Sequence, residues 1–187
     1  METNQRVGAV ILAAGESRRF GSPKQLAEVD GRTLLDHVIA TARASGLDPI
    51  VAVVPMWLAR PSGEESLRWI ANPQPELGMS HSLRIGLKAL THAKAAVILL
   101  GDQPRVAAAT IAKLLAARGD RPIVAAKAGG VLAPPVLIEH SHFELATALR
   151  GDHGLRDVLR GSPELVTAVA VPEHAADIDT PDDLNRA

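Results

Sequence analysis

The sequence predicts a single α/β domain over residues 1–187, a three-layer α/β/α sandwich around a mostly parallel twisted sheet. Three observations lead to this prediction. Short apolar runs rich in β-branched residues recur along the chain and are too short to be stable helices. Segments with helical periodicity separate these runs, and strands that alternate with helices favour a parallel sheet covered on both faces. No internal repeat, low-complexity segment or linker divides the chain, so one domain is expected.

The apolar runs are predicted to be the strands of this sheet. Each run is bounded by polar or turn-forming residues, as expected for buried strands. The run at 95–100 is the clearest, because Ala-Ala-Val-Ile-Leu-Leu contains no polar residue. The predicted strands comprise residues 7–12, 49–54, 67–71, 95–100, 122–126, 136–138 and 166–171.

The segments between these runs are predicted to be helical. Thr33 is expected to cap the first helix, and either Ser80 or Ser82 the second. The last helix starts at residues 180–183, where proline in the first helical position and acidic residues in the first turn are favourable. The first helix carries its apolar face over residues 34–42, and the second carries Leu83, Leu87 and Leu90. The remaining predicted helices comprise residues 107–117, 139–149 and 155–159.

The stretch after the first strand has the composition of a polyphosphate-binding loop. Ala13 and Ala14 carry little side-chain bulk and Gly15 is able to adopt a positive φ, which would let main-chain N–H groups approach a ligand closely. Three cations, Arg18, Arg19 and Lys24, then follow within seven residues. Main-chain donors and fixed positive charge together suit a polyphosphate. A solvated basic turn is the alternative, since the stretch contains neither the P-loop pattern nor G-x-G-x-x-G.

A carboxylate follows the apolar run at 95–100. Because ligands of parallel sheets bind beyond the carboxyl ends of the strands, Asp102 is expected on the same rim as the loop at 13–24. A carboxylate there is suited to Mg²⁺, which shares oxygen ligands with substrate phosphates. A turn-capping role is the alternative. Asp177 and Asp179 are further metal-ligand candidates, although Asp179 is also compatible with a solvated position before the last helix.

Composition excludes several classes of protein and site. The formal net charge of −1 and the pI near 6.7 argue against a nucleic-acid-binding surface. The absence of cysteine excludes disulfides and cysteine-based catalytic or zinc sites. No apolar run approaches the ~20 residues of a membrane span, and the paired arginines after the first run argue against a signal peptide. We therefore expect a cytoplasmic protein that binds neither nucleic acid nor membrane.

Three motifs resemble those of a known enzyme family. Residues 12–25 (Leu-Ala-Ala-Gly-Glu-Ser-Arg-Arg-Phe-Gly-Ser-Pro-Lys-Gln) resemble the N-terminal motif of nucleotidyltransferases with the Rossmann-like nucleotide-diphospho-sugar transferase fold. Residues 101–104 (Gly-Asp-Gln-Pro) and 177–184 (Asp-Ile-Asp-Thr-Pro-Asp-Asp-Leu) resemble the molybdenum cofactor nucleotidyltransferases, especially the MobA-related cytidylyltransferase branch. The motifs occur in the family's order.

The resemblance implies roles for residues that match the family's motifs. The loop after the first strand would bind a triphosphate. The aspartate of the Gly-Asp-Gln-Pro motif would bind Mg²⁺ or Mn²⁺ together with a residue before the last helix. A Gly-Asp-x-Gly-x-Arg segment would contact the acceptor. The residues so assigned are Lys24 and Arg19 as catalytic; Leu12, Ala13, Ala14, Gly15, Arg18, Gly78 and Ser82 as nucleotide-binding; Asp102 and Asp179 as metal-binding; and Gly151, Asp152 and Arg156 as acceptor-binding.

Some assignments stay open at this stage. Either Asp177 or Asp179 would complete the metal site. His153, within the acceptor segment, is a candidate contact, whereas His81 is expected to be a solvent-exposed helix histidine. From sequence alone, Ser80 and Ser82 are about as well explained as helix caps, and it is the resemblance that favours Ser82 as a nucleotide contact.

The implied reaction is transfer of CMP from CTP to the phosphate of a molybdopterin-type acceptor, with release of pyrophosphate and with a molybdoenzyme as a candidate partner. Ala14 stands where the guanylyltransferase branch has a second glycine, and its methyl group would crowd a purine, which favours CTP over GTP. Residues 133–136 (Ala-Pro-Pro-Val) have proline where many family members have histidine, so the acceptor side departs from the family's pattern.

Two alternative functions are considered. The first keeps the chemistry but changes the acceptor to methylerythritol phosphate or a sugar phosphate, since residues 23–25 (Pro-Lys-Gln) are shared with methylerythritol-phosphate cytidylyltransferases. The second is a non-catalytic accessory protein that binds the nucleotide or cofactor and delivers it to a partner.

Overall fold

The computed structural model describes residues 6–15, 17, 20–60, 66–149, 155–172, 178 and 180–185. Strands and helices alternate along most of this length. The strands are β1 (Val7–Leu12), β2 (Glu28–Val29), β3 (Arg32–Thr33), β4 (Ile50–Pro55), β5 (Leu67–Asn72), β6 (Ala95–Leu100), β7 (Ile123–Ala128), β8 (Val131–Glu139) and β9 (Val166–Ala170). The α-helices are α1 (Leu34–Ala44), α2 (Met79–Lys88), α3 (Ala108–Ala116), α4 (Phe143–Thr147), α5 (Leu155–Gly161) and α6 (Pro181–Asn185).

Among the described residues, seven strands form one sheet in the order β5-β4-β1-β6-β8-β7-β9. Strand β1 pairs in parallel with β4 and β6, β4 with β5, and β7 with β9, whereas β8 runs antiparallel to both of its neighbours. Strands β2 and β3 form a separate hairpin. The sheet is therefore mostly parallel, as predicted, and the carboxyl ends of β1, β4, β5 and β6 lie along one rim.

Helices cover both faces of the sheet. Side chains that alternate along the central strands divide between two hydrophobic cores. Ile11 and Leu99 face one core, where α1 and α3 pack, while Val10 and Ile98 face the other, where α2, α4 and α5 pack. Helix α2 lies against β1 at Gly86, where an added Cβ would come within 2.3 Å of a Val10 methyl carbon. This three-layer arrangement confirms the predicted fold class.

Most of the predicted elements are confirmed, and one is wrong in part. Thr33 caps α1, since its Oγ1 accepts a hydrogen bond from the Asp36 N–H. The helix expected at 139–149 begins only at Phe143. Strand β8 instead continues to Glu139, which lies opposite Ala95, because pairing with β6 supplies hydrogen-bond partners through that residue.

A bulge interrupts the pairing of β7 with β8. Ala125 pairs with Val136 and Ala126 with Ala133, so Pro134 and Pro135 have no partner on β7. Neither proline carries an N–H to donate, which is why they occupy the interruption rather than the ladder itself. The β7–β8 turn beyond the bulge lies on the same side of the sheet as the carboxyl ends of β1 and β6.

Candidate functional site

The ends of β1 and β6 bring two predicted segments together. Leu12 pairs with Leu100, and the Gly101 N–H donates a 2.9 Å hydrogen bond to the Leu12 carbonyl. The turn at 101–102 therefore lies beside the loop that begins at Ala13. The approach requires glycine, because a Cβ at position 101 would lie 2.8 Å from the Ala13 Cβ.

Lys24 and Asp102 meet at this rim. The Lys24 Nζ donates to the Asp102 Oδ2 at 2.6 Å, although 78 residues separate the two in sequence. The two side chains are only 17% and 21% exposed. The sequence-based expectation that the lysine of the first loop and the aspartate of the mid-chain turn share one rim is therefore correct.

The loop at 13–15 presents its main chain rather than its side chains. Ala13 and Ala14 are buried on opposite faces of the sheet, one in each hydrophobic core, and Leu12 is buried as well. Gly15 is exposed, and an added Cβ there would meet nothing within 4 Å. Within this loop the Ala13 N–H is bonded to the Val53 carbonyl, so a ligand would meet chiefly the open space at Gly15.

Two expectations about the loop are wrong. Gly15 does not use a positive φ; Ser17 and Gly21 do, with φ of 54° and 75°. The methyl group of Ala14 packs with Val10 and Leu12 in a hydrophobic core. It therefore does not line the surface of the loop, and the argument that this methyl would crowd a purine loses its basis.

The side chain of Gln25 holds the loop at 13–15 in place. This role was not predicted from the sequence. The Gln25 side chain is 5% exposed, and its Nε2 donates 2.8 Å hydrogen bonds to the carbonyls of both Ala13 and Gly15. The same turn, Lys24–Leu26, carries the lysine that reaches Asp102. A glutamine in a short polar turn has no distinctive pattern, so nothing in the sequence separated it from its neighbours.

Helix α2 begins at the same rim, without a side-chain cap. Gly78 is its N-cap residue, with φ of 82° and ψ of −176°, a conformation that L-residues rarely adopt. The helix then starts at Met79, so Ser80 and Ser82 lie inside it and the predicted capping roles are wrong. The Ser80 Oγ is buried and has no hydrogen-bond partner among the described residues.

Asn72 organises the start of α2. It is the last residue of β5 and is fully buried, and its Nδ2 donates a 2.9 Å hydrogen bond to the Ser82 Oγ. Its Oδ1 lies 2.8 Å from the His81 Nδ1, so the expectation that His81 is simply solvent-exposed is wrong. Asp102 was predicted because it is a polar residue at the end of an apolar run. Asn72 has the same position relative to its own strand, so the same pattern would have identified it.

The segment before the last helix lies next to Asp102. The Ile178 N–H donates a 3.2 Å hydrogen bond to the Asp102 carbonyl, and Ile178 is buried. Helix α6 then begins with a reciprocal cap, in which Thr180 and Asp183 bond to each other's main chain. Asp177 and Asp179, which flank Ile178 in sequence, lie outside the described residues.

Several other predicted site residues also lie outside the described part of the chain: Arg18, Arg19, Gly151, Asp152 and His153. Their assignments stay predictions. Arg156 is described and is exposed in the first turn of α5, while its neighbour Leu155 packs into the core. The structure thus brings together Gly15, Lys24 and Asp102, and places the start of α2 on the same rim.

The donor set at the rim fits a metal shared with a ligand rather than one enclosed by protein. Within the ranges that the structure describes, no group of three or more His, Cys, Asp or Glu side chains is placed to hold a metal ion. Mg²⁺ is commonly bound by one or two carboxylates together with substrate phosphates, and Asp102 supplies such a carboxylate. In the same described ranges, no helix has the length and apolar character needed to cross a membrane.

Known proteins resemble this chain over most of its length. A family model described as "MobA-like NTP transferase domain" matches residues 9–169. Purine catabolism protein PucB of Bacillus subtilis is 28% identical, over 94% of this chain and 93% of PucB. Bifunctional protein GlmU of Acinetobacter baylyi is 36% identical over 57% of this chain. The matched part spans only 24% of that GlmU protein.

Solved structures also resemble this chain over nearly its whole length. Rv0371c from Mycobacterium tuberculosis H37Rv superposes with a TM-score of 0.84 at 26% identity, covering 98% of this chain and 97% of that one. A structure of the same protein in complex with manganese has a TM-score of 0.79 at 25% identity, with 97% of each chain covered.

Proposed function

The chain belongs to the MobA-like NTP transferase family and has the nucleotide-diphospho-sugar transferase fold; from this premise we propose that it transfers the nucleotidyl group of a nucleoside triphosphate to the phosphate of an acceptor and releases pyrophosphate. The preferred nucleotide is CTP and the preferred acceptor is the phosphate of a molybdopterin-type cofactor. Both preferences rest on the motifs at 12–25, 101–104 and 177–184.

The observation that carries the proposal is the 2.6 Å ion pair between Lys24 and Asp102, on the same rim as the exposed Gly15. A metal–triphosphate complex brings a cation and an anion together. On binding, Lys24 would exchange Asp102 for phosphate oxygens, and Asp102 would exchange Lys24 for the metal. Neither charge would be left desolvated and unpaired, which is the costly outcome for partly buried ions.

The reaction needs charge stabilisation more than proton transfer. An oxygen of the acceptor phosphate attacks the α-phosphorus in line, a new P–O bond forms, and the bond to the bridging oxygen of pyrophosphate breaks. The attacking phosphate is already anionic near neutral pH, so no strong general base is required. Lys24, with Arg19 in the same role, would offset the repulsion between the two anions and stabilise the charge on the leaving pyrophosphate.

Asp102, with Asp179 or Asp177, would hold the divalent metal. When bound, Mg²⁺ or Mn²⁺ would act as a Lewis acid on the phosphate oxygens. The manganese complex of Rv0371c supports testing both ions. Gly15, Gly78 and Ser82 would contact the nucleotide.

The acceptor side of the proposal rests on fewer observations. Gly151, Asp152 and Arg156 match the family's acceptor segment, and Arg156 is exposed and therefore available to an acceptor phosphate. A molybdoenzyme that receives the product is the candidate partner, and a cysteine-free chain suits the cytoplasm in which such a transfer would take place.

Pyrophosphate release tests the proposal. Purified protein is incubated with Mg²⁺ or Mn²⁺, each of the four common nucleoside triphosphates, and molybdopterin, methylerythritol phosphate or a sugar phosphate. Release with CTP and molybdopterin supports the full proposal, and release with another acceptor supports the chemistry but changes the substrate. Nucleotide binding without release with any acceptor would contradict an enzymatic role and favour an accessory protein.

A further inference from the structure

We propose that Gln25 is a positioning residue for the triphosphate: its buried carboxamide holds the carbonyls of Ala13 and Gly15, so that the Ala14 N–H faces the ligand. The inference rests on the proposed function and adds a residue that does not itself touch the reacting atoms. It is carried by the two hydrogen bonds that Gln25 donates within the described part of the chain.

The orientation of the carboxamide is determined by its surroundings. Nε2 lies 2.8 Å from two carbonyl oxygens, those of Ala13 and Gly15. Both are acceptors, so only the NH₂ side of the carboxamide is compatible with them. Oε1 faces the other way and lies 3.5 Å from the Ser17 hydroxyl. Both N–H bonds of the NH₂ group are therefore committed to the loop.

Anchoring these carbonyls has a consequence for the opposite side of the loop. A trans peptide unit places its N–H opposite its C=O. With the carbonyl of Ala13 turned toward Gln25, the N–H of the same peptide unit, which is the Ala14 N–H, points away from it. If this peptide flipped, the Ala13 carbonyl oxygen would face the ligand and repel phosphate. Gln25 thus selects the donor-presenting state of the loop before any nucleotide arrives.

The same turn links the loop to the lysine. The Lys24 N–H donates a 3.1 Å hydrogen bond to the Ser17 Oγ, while the Lys24 side chain extends to Asp102. Lys24 and Gln25 are adjacent, so one short turn fixes both the cation and the peptide donors relative to each other. A phosphate chain needs the two in a set geometry, because a displacement of about 1 Å is able to lower a rate by as much as ~10²-fold.

Gln25→Glu is the decisive variant, because it keeps the shape of the side chain while replacing the two N–H donors by a carboxylate that repels both carbonyls. Gln25→Met removes the donors without adding charge and serves if the glutamate variant does not fold. Gln74→Glu is the matched control, since Gln74 is exposed and the variant carries the same change of charge on the same rim.

Calorimetric titrations with CTP, inorganic pyrophosphate and cytidine, each with Mg²⁺, separate positioning from stability. We expect the Gln25 variants to bind CTP and pyrophosphate about 10- to 100-fold more weakly than the wild type and to bind cytidine equally well. In steady-state assays of pyrophosphate release, the KM for the triphosphate should rise and the KM for the acceptor should be unchanged. Gln74→Glu should retain wild-type affinity for all three ligands.

Two outcomes would overturn the inference while leaving the proposed function intact. One is wild-type affinity for CTP in a folded Gln25 variant. The other is an equal loss of affinity for CTP and cytidine with a lowered melting temperature, which would make Gln25 merely structural. If the wild-type protein binds no nucleoside triphosphate at all, the proposed function fails and this inference fails with it.

Discussion

Two ion pairs at opposite rims of the sheet differ in their geometry. Arg118 and Glu139 form a two-pronged pair, with Nε and Nη2 at 2.7 and 2.9 Å from the two carboxylate oxygens. The Lys24 Nζ lies 2.6 Å from the Asp102 Oδ2. Glu139 lies opposite Ala95, at the start of β6, whereas Asp102 follows its end. The pairs are therefore about 20 Å apart along the strand.

The difference in geometry indicates a difference in use. A guanidinium bound to a carboxylate through two parallel hydrogen bonds is fixed in orientation, and the hydrogen bonds to Glu139 raise the pKa of Arg118. Such a pair fastens the end of β8 to the segment after α3. A lysine is a point charge on a flexible stem and is able to change partners without breaking a planar array. Only the second kind of pair is suited to open for a ligand.

The largest expected effect is on activity, from Lys24→Ala. Loss of one preorganised donor to the reacting phosphates should lower turnover by about 10²–10³-fold. Arg118→Ala, at the other rim, should leave turnover within a few-fold of wild type. Pyrophosphate release measured for both variants, with folding checked by circular dichroism, makes the comparison. Near-wild-type turnover by folded Lys24→Ala protein would remove the lysine from the mechanism.

Asp102→Asn should change the dependence on metal. The substitution keeps the size of the side chain but removes the charge that binds the ion, so the Mg²⁺ concentration for half-maximal activity should rise at least ~10-fold. The measurement is pyrophosphate release as a function of Mg²⁺ and of Mn²⁺, with Glu139→Gln as the control carboxylate at the other rim. An unchanged metal dependence in the Asp102 variant would show that the ion is bound elsewhere.

For stability the two substitutions should have similar effects. Arg118→Ala removes a two-pronged pair that is about a quarter exposed and should lower the free energy of unfolding by about 1 kcal/mol. Lys24→Ala leaves the Asp102 carboxylate, which is 21% exposed, without its lysine and should lower the free energy of unfolding by a similar amount, about 1 kcal/mol. Urea unfolding of both variants provides the values. A larger loss of stability from Lys24→Ala would mean that this pair, too, is structural.

The smallest effect concerns pH. Because the hydrogen bonds to Glu139 raise the folded-state pKa of Arg118 above its ordinary value in the unfolded chain, the contribution of this pair to stability is fully present below that ordinary value and is lost only at still higher pH. The difference in unfolding free energy between wild type and Arg118→Ala should therefore be the same at pH 7 and pH 9. A difference that shrinks in this interval would contradict the raised pKa.

Much of the fold followed from local patterns, while the contacts of the site did not. Runs such as residues 95–100 are unambiguous, and the rule that parallel strands end on one rim was enough to place Lys24 beside Asp102. The anchoring of the loop by Gln25 and of α2 by Asn72 depends on which carbonyls and hydroxyls those side chains meet after folding. That information is absent from residue type and spacing.

The errors have a common physical origin. Helical periodicity at 139–149 was overridden at Glu139 by pairing with β6, a contact distant in sequence. The Ala14 methyl was expected to face the nucleotide, but it packs in a hydrophobic core. The sequence does not show on which face of the sheet this methyl lies. His81 was expected to face solvent because the sequence does not reveal that Asn72 lies within hydrogen-bonding distance.

The bulge at Pro134 and Pro135 has a consequence for how this architecture tolerates change. Beyond it, residues 131–133 of β8 pair with β7 alone among the described strands, since β6 pairs only with residues 136–139 of β8. The pairing of β6 that positions Asp102 therefore does not depend on residues 131–133, and we expect insertions in the β7–β8 turn to leave the register of β6 unchanged.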